Sequence, residues 1–156
     1  MEQETWMEHA VNLALDNVTA SRGGPFGAIV VKDGQIVGRG RNEVTATNDP
    51  TAHAEVQAIR EACQKLGTFQ LDDCELYTSC EPCPMCLGAI YWARPRAVYY
   101  ACTKEDAARV GFDDQFIYEQ IMLPHERRSI PFRQMELENR QGPFLAWEQS
   151  EKRIEY

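Results

Sequence analysis

Apolar and polar positions alternate along this chain in two rhythms, and the switches between them mark its elements. Residues 4–20 carry Trp6, Ala10, Leu13, Ala14 and Val18 at helical spacing, which predicts an amphipathic helix. Ser21-Arg22-Gly23-Gly24-Pro25 breaks it. Gly27 to Val31 and Gln35 to Arg39 read as two strands, joined through an Asp33-Gly34 pair that suits a tight hairpin. Asn48-Asp49-Pro50 announces a helix with Asp49 as N-cap, and Ala52, Val56, Ile59, Cys63 and Leu66 form its apolar face as far as Gly67. Glu75 to Ser79 is a strand. A helix then starts at Glu81-Pro82 and runs to about Ala93, where Pro95 closes it. Ala97 to Cys102 reads as a buried strand, residues 104–120 as short helices around Gly111, Gln134 to Glu138 as a fifth strand, and Pro143 to about Glu151 as a terminal helix.

This order predicts an α/β fold. It is a three-layer α/β/α sandwich on a five-stranded mixed sheet, with an antiparallel N-terminal hairpin and later strands made parallel by helical crossovers. At 156 residues the chain reads as one domain, 1–156, able to bury roughly two-thirds of its unfolded surface without a disulfide or metal staple. The apolar runs Phe26–Val31 and Leu87–Ala93 are far short of the ~20 residues a membrane span needs. The acidic start Met1-Glu2-Gln3-Glu4 has no apolar secretory core. A cytoplasmic protein with no membrane partner is the expectation.

Net charge changes the picture of partners. At −8, with cations scattered in pairs such as Arg94 with Arg96 and Arg127 with Arg128, the chain has no evident basic patch, and nucleic acid is not expected to bind. Six cysteines in a chain with no export signal suggest metal or redox chemistry for any clustered subset. Cys63, Cys74 and Cys102 are isolated and read as small buried hydrophobes. Cys80, Cys83 and Cys86 are clustered.

His53-Ala54-Glu55 lies at one helix start, and Pro82-Cys83-Pro84-Met85-Cys86 opens the next helix. Cys83 and Cys86 share a helix face. His53, Cys83 and Cys86 supply three ligands for a tetrahedral zinc and leave a fourth position for water or hydroxide, the pattern of a catalytic rather than a structural site. Glu55 beside the histidine is the candidate acid/base. Both helix starts offer unpaired N–H groups that favour thiolate. Two alternatives stay open at this point: a closed site in which Cys80 is a fourth ligand, and a redox pair in Cys80-Glu81-Pro82-Cys83.

H-A-E followed by P-C-P-M-C resembles the zinc-deaminase signature H-x-E…P-C-x-x-C. Beyond it, Gly23 to Ala28, Asn48 to Glu55, Tyr77 to Arg96, Gly111-Phe112-Asp113-Asp114 and the terminal Glu155-Tyr156 resemble the bacterial guanine deaminases of the cytidine-deaminase-like superfamily, over essentially the whole chain. The resemblance implies one zinc per subunit and hydrolytic deamination of guanine to xanthine and ammonia. Glu55 would take a proton from the zinc-activated water and pass it to a ring nitrogen. It further implies that Asn42 and the Ala54 backbone hold the base, that Phe26 and Trp92 form aromatic walls, and that Asp114 faces the base edge and moves protons to the leaving amine. A homodimer is implied as well, in which residues 152–156 cross to the partner and place Tyr156 over its site. Competing readings are a tRNA adenosine deaminase or a cytosine deaminase with the same metal site, and a non-enzymatic structural zinc module.

Overall fold

The hairpin is built as its sequence asks. In the computed structural model, which describes residues 2–156, Asp33 and Gly34 both take positive φ, the handedness of a two-residue turn between twisted strands. That turn joins β1 (Gly27–Lys32) to β2 (Gln35–Arg41). Helix α1 (Glu2–Thr19) precedes them, and α2 (Val44–Thr47) and α3 (Ala54–Leu66) follow. The chain continues through β3 (Glu75–Cys80), α4 (Pro84–Ala93), β4 (Ala97–Cys102), α5 (Lys104–Arg109), α6 (Asp114–Met122), a 3-10 turn at His125–Arg127 and α7 (Gly142–Gln149). It divides into two compact units, Met1–Gln115 and Phe116–Tyr156.

In the first unit a four-stranded sheet runs in the order β2-β1-β3-β4. β1 pairs antiparallel with both β2 and β3, while β3 and β4 are parallel, so the sheet is mixed as expected. Side chains alternate between its faces. Ala28, Val30 and Leu76 pack against Ala54, Ala58 and Ala62 of α3 and Ile90 of α4. Ile29, Val31 and Tyr77 pack against Ala10, Trp6 and Leu13 of α1. Tyr77 also stacks on its cross-strand neighbour Tyr99 at 4.9 Å. Gly40 allows β2 and α3 to approach backbone to backbone: a Cβ there would lie 2.0 Å from the Ala54 carbonyl oxygen.

Four expectations need correction. The helix does not begin at Pro50. Asp49 Oδ1 instead accepts the Thr51 N–H at 2.9 Å and the Thr51 hydroxyl at 2.6 Å, a side-chain turn that delays the helix to Ala54 and makes His53 its N-cap. β4 is an edge strand of half-buried and exposed residues, because only β3 flanks it. Of the isolated cysteines, Cys74 is buried, Cys63 is half-buried and Cys102, on that edge, is exposed. The fifth strand at 134–138 is not formed, and the sheet has four strands. Met135 and Leu137 give that stretch an alternating pattern, but they are 77% and 64% exposed, and no strand among the described residues pairs with it. Alternation specifies a face; a strand also needs a neighbour's N–H and C=O groups.

The second unit is held by local bonds. Arg128 Nε donates to the Gln120 carbonyl at 3.0 Å, and its guanidinium lies 5.0 Å from the Phe132 ring centre. No residue from Phe116 to Tyr156 is buried. Among the described residues no helix is long and apolar enough to cross a membrane.

Candidate active site

Two helix starts and two strand ends meet around a cavity of about 350 Å³, with Phe26, Asn42, His53, Glu55, Cys83 and Asp114 among its lining residues. His53 and Cys83 are the N-caps of α3 and α4, both in extended conformation. Pro84 takes the first helical position of α4, where a missing N–H costs nothing, and Cys86 follows two residues later. His53 Nδ1 lies 3.5 Å from Cys83 Sγ and 3.5 Å from Cys86 Sγ. Among the described residues these three form a cluster able to hold a metal ion, with all ligand atoms within 4.8 Å of one another. Cys80 is outside it, its Sγ pointing to the Thr103 carbonyl at 3.6 Å. The arrangement has three ligands rather than four.

Burial and charge set the protonation of this cluster. The Cys86 thiol and backbone N–H both donate toward Cys83 Sγ, and with His53 nearby they hold the Cys83 thiol down at about 4. Cys86, which gives its proton to that bond, is pushed up. The bond to Cys83 raises His53 against the opposing effect of burial. Glu55, 6% exposed, is pushed up to about 7 chiefly by burial. Burial, then the Cys83 charge, also raises Asp114. A carboxyl poised near neutrality can both accept and return a proton at physiological pH.

Residues 1–102 match the family described as the cytidine and deoxycytidylate deaminase zinc-binding region. The chain belongs to this deaminase family. Among its relatives, guanine deaminase of Bacillus subtilis (strain 168) is 60% identical over 156 residues, covering 100% of both chains. The crystal structure of guanine deaminase from that species superposes with a TM-score of 0.98 over 100% of this chain and 99% of that one. A guanine deaminase from Nitrosomonas europaea, 36% identical, superposes with a TM-score of 0.68 over 71% of this chain and 64% of that one. The tRNA-specific adenosine deaminase of Aquifex aeolicus is 48% identical, over 49% of this chain and 51% of its own.

A deaminase zinc fits the residues present. Tetrahedral zinc with Zn–N and Zn–S bonds of about 2.0 and 2.3 Å sets nitrogen and sulfur about 3.5 Å apart. Both His53-to-cysteine distances are 3.5 Å. The structure brings Phe26, Asn42 and Asp114 to the cavity together with His53, Cys83 and Glu55, while Cys86 lies buried behind it against His53 and Cys83. Ala54 is fully buried at the first position of α3, its backbone leading directly from His53 to Glu55. Trp92 is not brought there: it is 62% exposed on α4 and absent from the cavity lining. The second aromatic wall is Phe112, packed edge-on against Phe26 at 4.9 Å. Its signal was its place beside Asp113 and Asp114, an apolar ring inside an acidic loop. Glu81 was also missed as a lining residue. Its Oε1 accepts the Lys104 N–H at 3.1 Å and so ties the approach to α4 to the start of α5. Tyr156 belongs to the second unit and is 68% exposed.

Proposed function

We infer that the protein is a zinc-dependent aminohydrolase that converts guanine and water to xanthine and ammonia. The observation that carries this reading is a three-ligand His/Cys/Cys cluster with a buried carboxyl beside it, in a chain 60% identical along its whole length to a guanine deaminase. His53, Cys83 and Cys86 would hold a zinc ion, which would supply the Lewis acidity that makes water nucleophilic at neutral pH. Glu55 takes the proton released as water adds to the amino-bearing carbon and delivers it to the adjacent ring nitrogen. As the C–N bond breaks, the hydroxyl added to that carbon becomes the carbonyl and gives up its proton, which Asp114 helps to move to the amine, and the amine leaves as ammonia. Phe26 and Phe112 enclose the ring, and Asn42 and the Ala54 backbone hold its polar edge. The low exposure of Asn42, 8%, supports a fixed donor and acceptor there, and its Oδ1 is already oriented by the Val44 N–H at 3.2 Å.

The working form in this reading is a cytoplasmic homodimer in which the C-terminal segment of each copy lies on the other and Tyr156 covers the partner's site. Support comes from the exposure of Met122, Met135 and Phe144 at 85%, 77% and 74%, in a unit that buries none of its own residues. The test is ammonia release by the zinc-loaded protein from guanine, adenine, cytosine and a tRNA anticodon stem-loop. Release from guanine alone is expected, and deletion of residues 152–156 is expected to abolish most of it. Release from the stem-loop and not from guanine would replace the substrate. Undiminished turnover after the deletion would remove Tyr156 from the site.

A further inference from the structure

Helix α1 buries three residues, of which two are Ala10 and Ala14; the third is Asn17, 1% exposed. A buried amide is costly unless its polar atoms are bonded, so what Asn17 bonds to is informative. Its Nδ2 donates to the Gly24 carbonyl at 2.7 Å and to the Asn42 carbonyl at 2.9 Å. The Gly24 carbonyl also accepts the Phe26 N–H at 2.9 Å, and the Asn42 N–H donates to the Phe26 carbonyl at 3.2 Å. These bonds close a ring from Asn17 through Gly24, Phe26 and Asn42 back to Asn17. The Asn17 carbonyl accepts the Arg22 and Gly23 N–H groups as well. Gly23 leaves the ring room to close, since a Cβ there would come within 2.5 Å of the Asn42 carbonyl oxygen. Gly24, Phe26 and Asn42 all line the cavity, whereas Asn17 does not.

We propose that Asn17 is a positioning residue for the substrate base: from behind the cavity wall it fixes the spacing between Phe26 and Asn42, and so sets affinity for the ring. This rests on the deaminase reading above. Both of its acceptors are backbone carbonyls, so it places the wall itself without engaging the Asn42 side chain. Asn17→Asp keeps the shape and turns the two donors into acceptors facing carbonyls. Expected are a KM for guanine raised about tenfold, equivalent to ~1.4 kcal/mol, xanthine binding weakened in parallel, and kcat and zinc content close to wild type.

In an Asn42→Ala background the same change should raise KM by less than tenfold, because one of the two side chains it positions is gone while Phe26 remains. Where Asn17→Asp does not fold, Asn17→Ser keeps one donor and should fall between it and wild type in KM. A wild-type KM in either variant would overturn the proposal. So would full additivity with Asn42→Ala, or a loss confined to melting temperature. Wild-type protein silent on guanine would overturn the deaminase reading and this proposal with it; wild-type turnover with an unchanged variant KM overturns the proposal alone.

Discussion

Helix α3 opens with a histidine whose ring caps nothing, whereas α4 opens with a sulfur that accepts an N–H of its own first turn, from Cys86 at 3.5 Å. The two starts use one backbone position for different ends. At α4 the helix N-terminus stabilises negative charge on sulfur, which suits a residue that must hold a cation. At α3 the ring turns to the two sulfurs instead, and the first turn carries Glu55 into a dry environment that favours the protonated acid. One start serves the candidate metal site, and the other supplies a candidate ligand together with the proposed proton carrier. A helix beginning is a convenient place for both, because side chains there can reach past the backbone into a cavity while the helix body stays anchored in the core.

The largest effect expected from separating these roles comes at α4. Cys86→Ala should remove most bound zinc, measured by metal analysis, together with all detectable ammonia release, and should lower the melting temperature. Glu55→Gln comes next. It should keep zinc and the fold while kcat falls by about 10²–10⁴-fold, the usual worth of a positioned acid/base. Loss of metal in that variant, or survival of turnover, would break the division between the two helix starts.

A smaller effect is read from pH in protein stripped of metal by a chelator. Burial lifts Glu55 to about 7 from its ordinary 4.5. Its contribution to stability is therefore full below about pH 4.5 and lost as pH rises through 7, and Glu55→Gln should flatten that decline in denaturant melts. Glu75 behaves oppositely. Arg96 bonds its carboxylate at 2.6 Å and holds it below the ordinary value. Its contribution is present above pH 4.5 and lost as pH falls through the depressed value. Glu75→Gln should alter only the acid side, and weakly, since Arg96 is 60% exposed and screened by solvent.

Much of the site was legible because its chemistry is local. His53, Glu55, Cys83 and Cys86 announce themselves by residue type and spacing, and the Asp33-Gly34 turn and the helix stop at Gly67 by backbone preference. Other features depended on information the local pattern lacks. Asp49 has the right side chain for a cap, but Thr51 offers both an N–H and a hydroxyl within reach, and the nearer partner decides. Trp92 and Phe112 are both large aromatics near site motifs. Only the direction in which α4 presents Trp92, set by Ile90 and Ala93 facing the core, separates an exposed ring from a cavity wall. The stretch 134–138 carries a correct alternation with no sheet edge to receive it, and pairing is a property of two segments rather than one.

Gly40 ties the edge of the sheet to the metal site. Its missing side chain acts as a depth stop for α3, seating the Ala54 carbonyl against β2 and with it the neighbouring His53. The distance from imidazole to the two sulfurs is thus calibrated from the β2 side of a helix, by a residue outside the cavity lining. A methyl at position 40 would work as a shim under that helix start, and metal affinity would register its thickness.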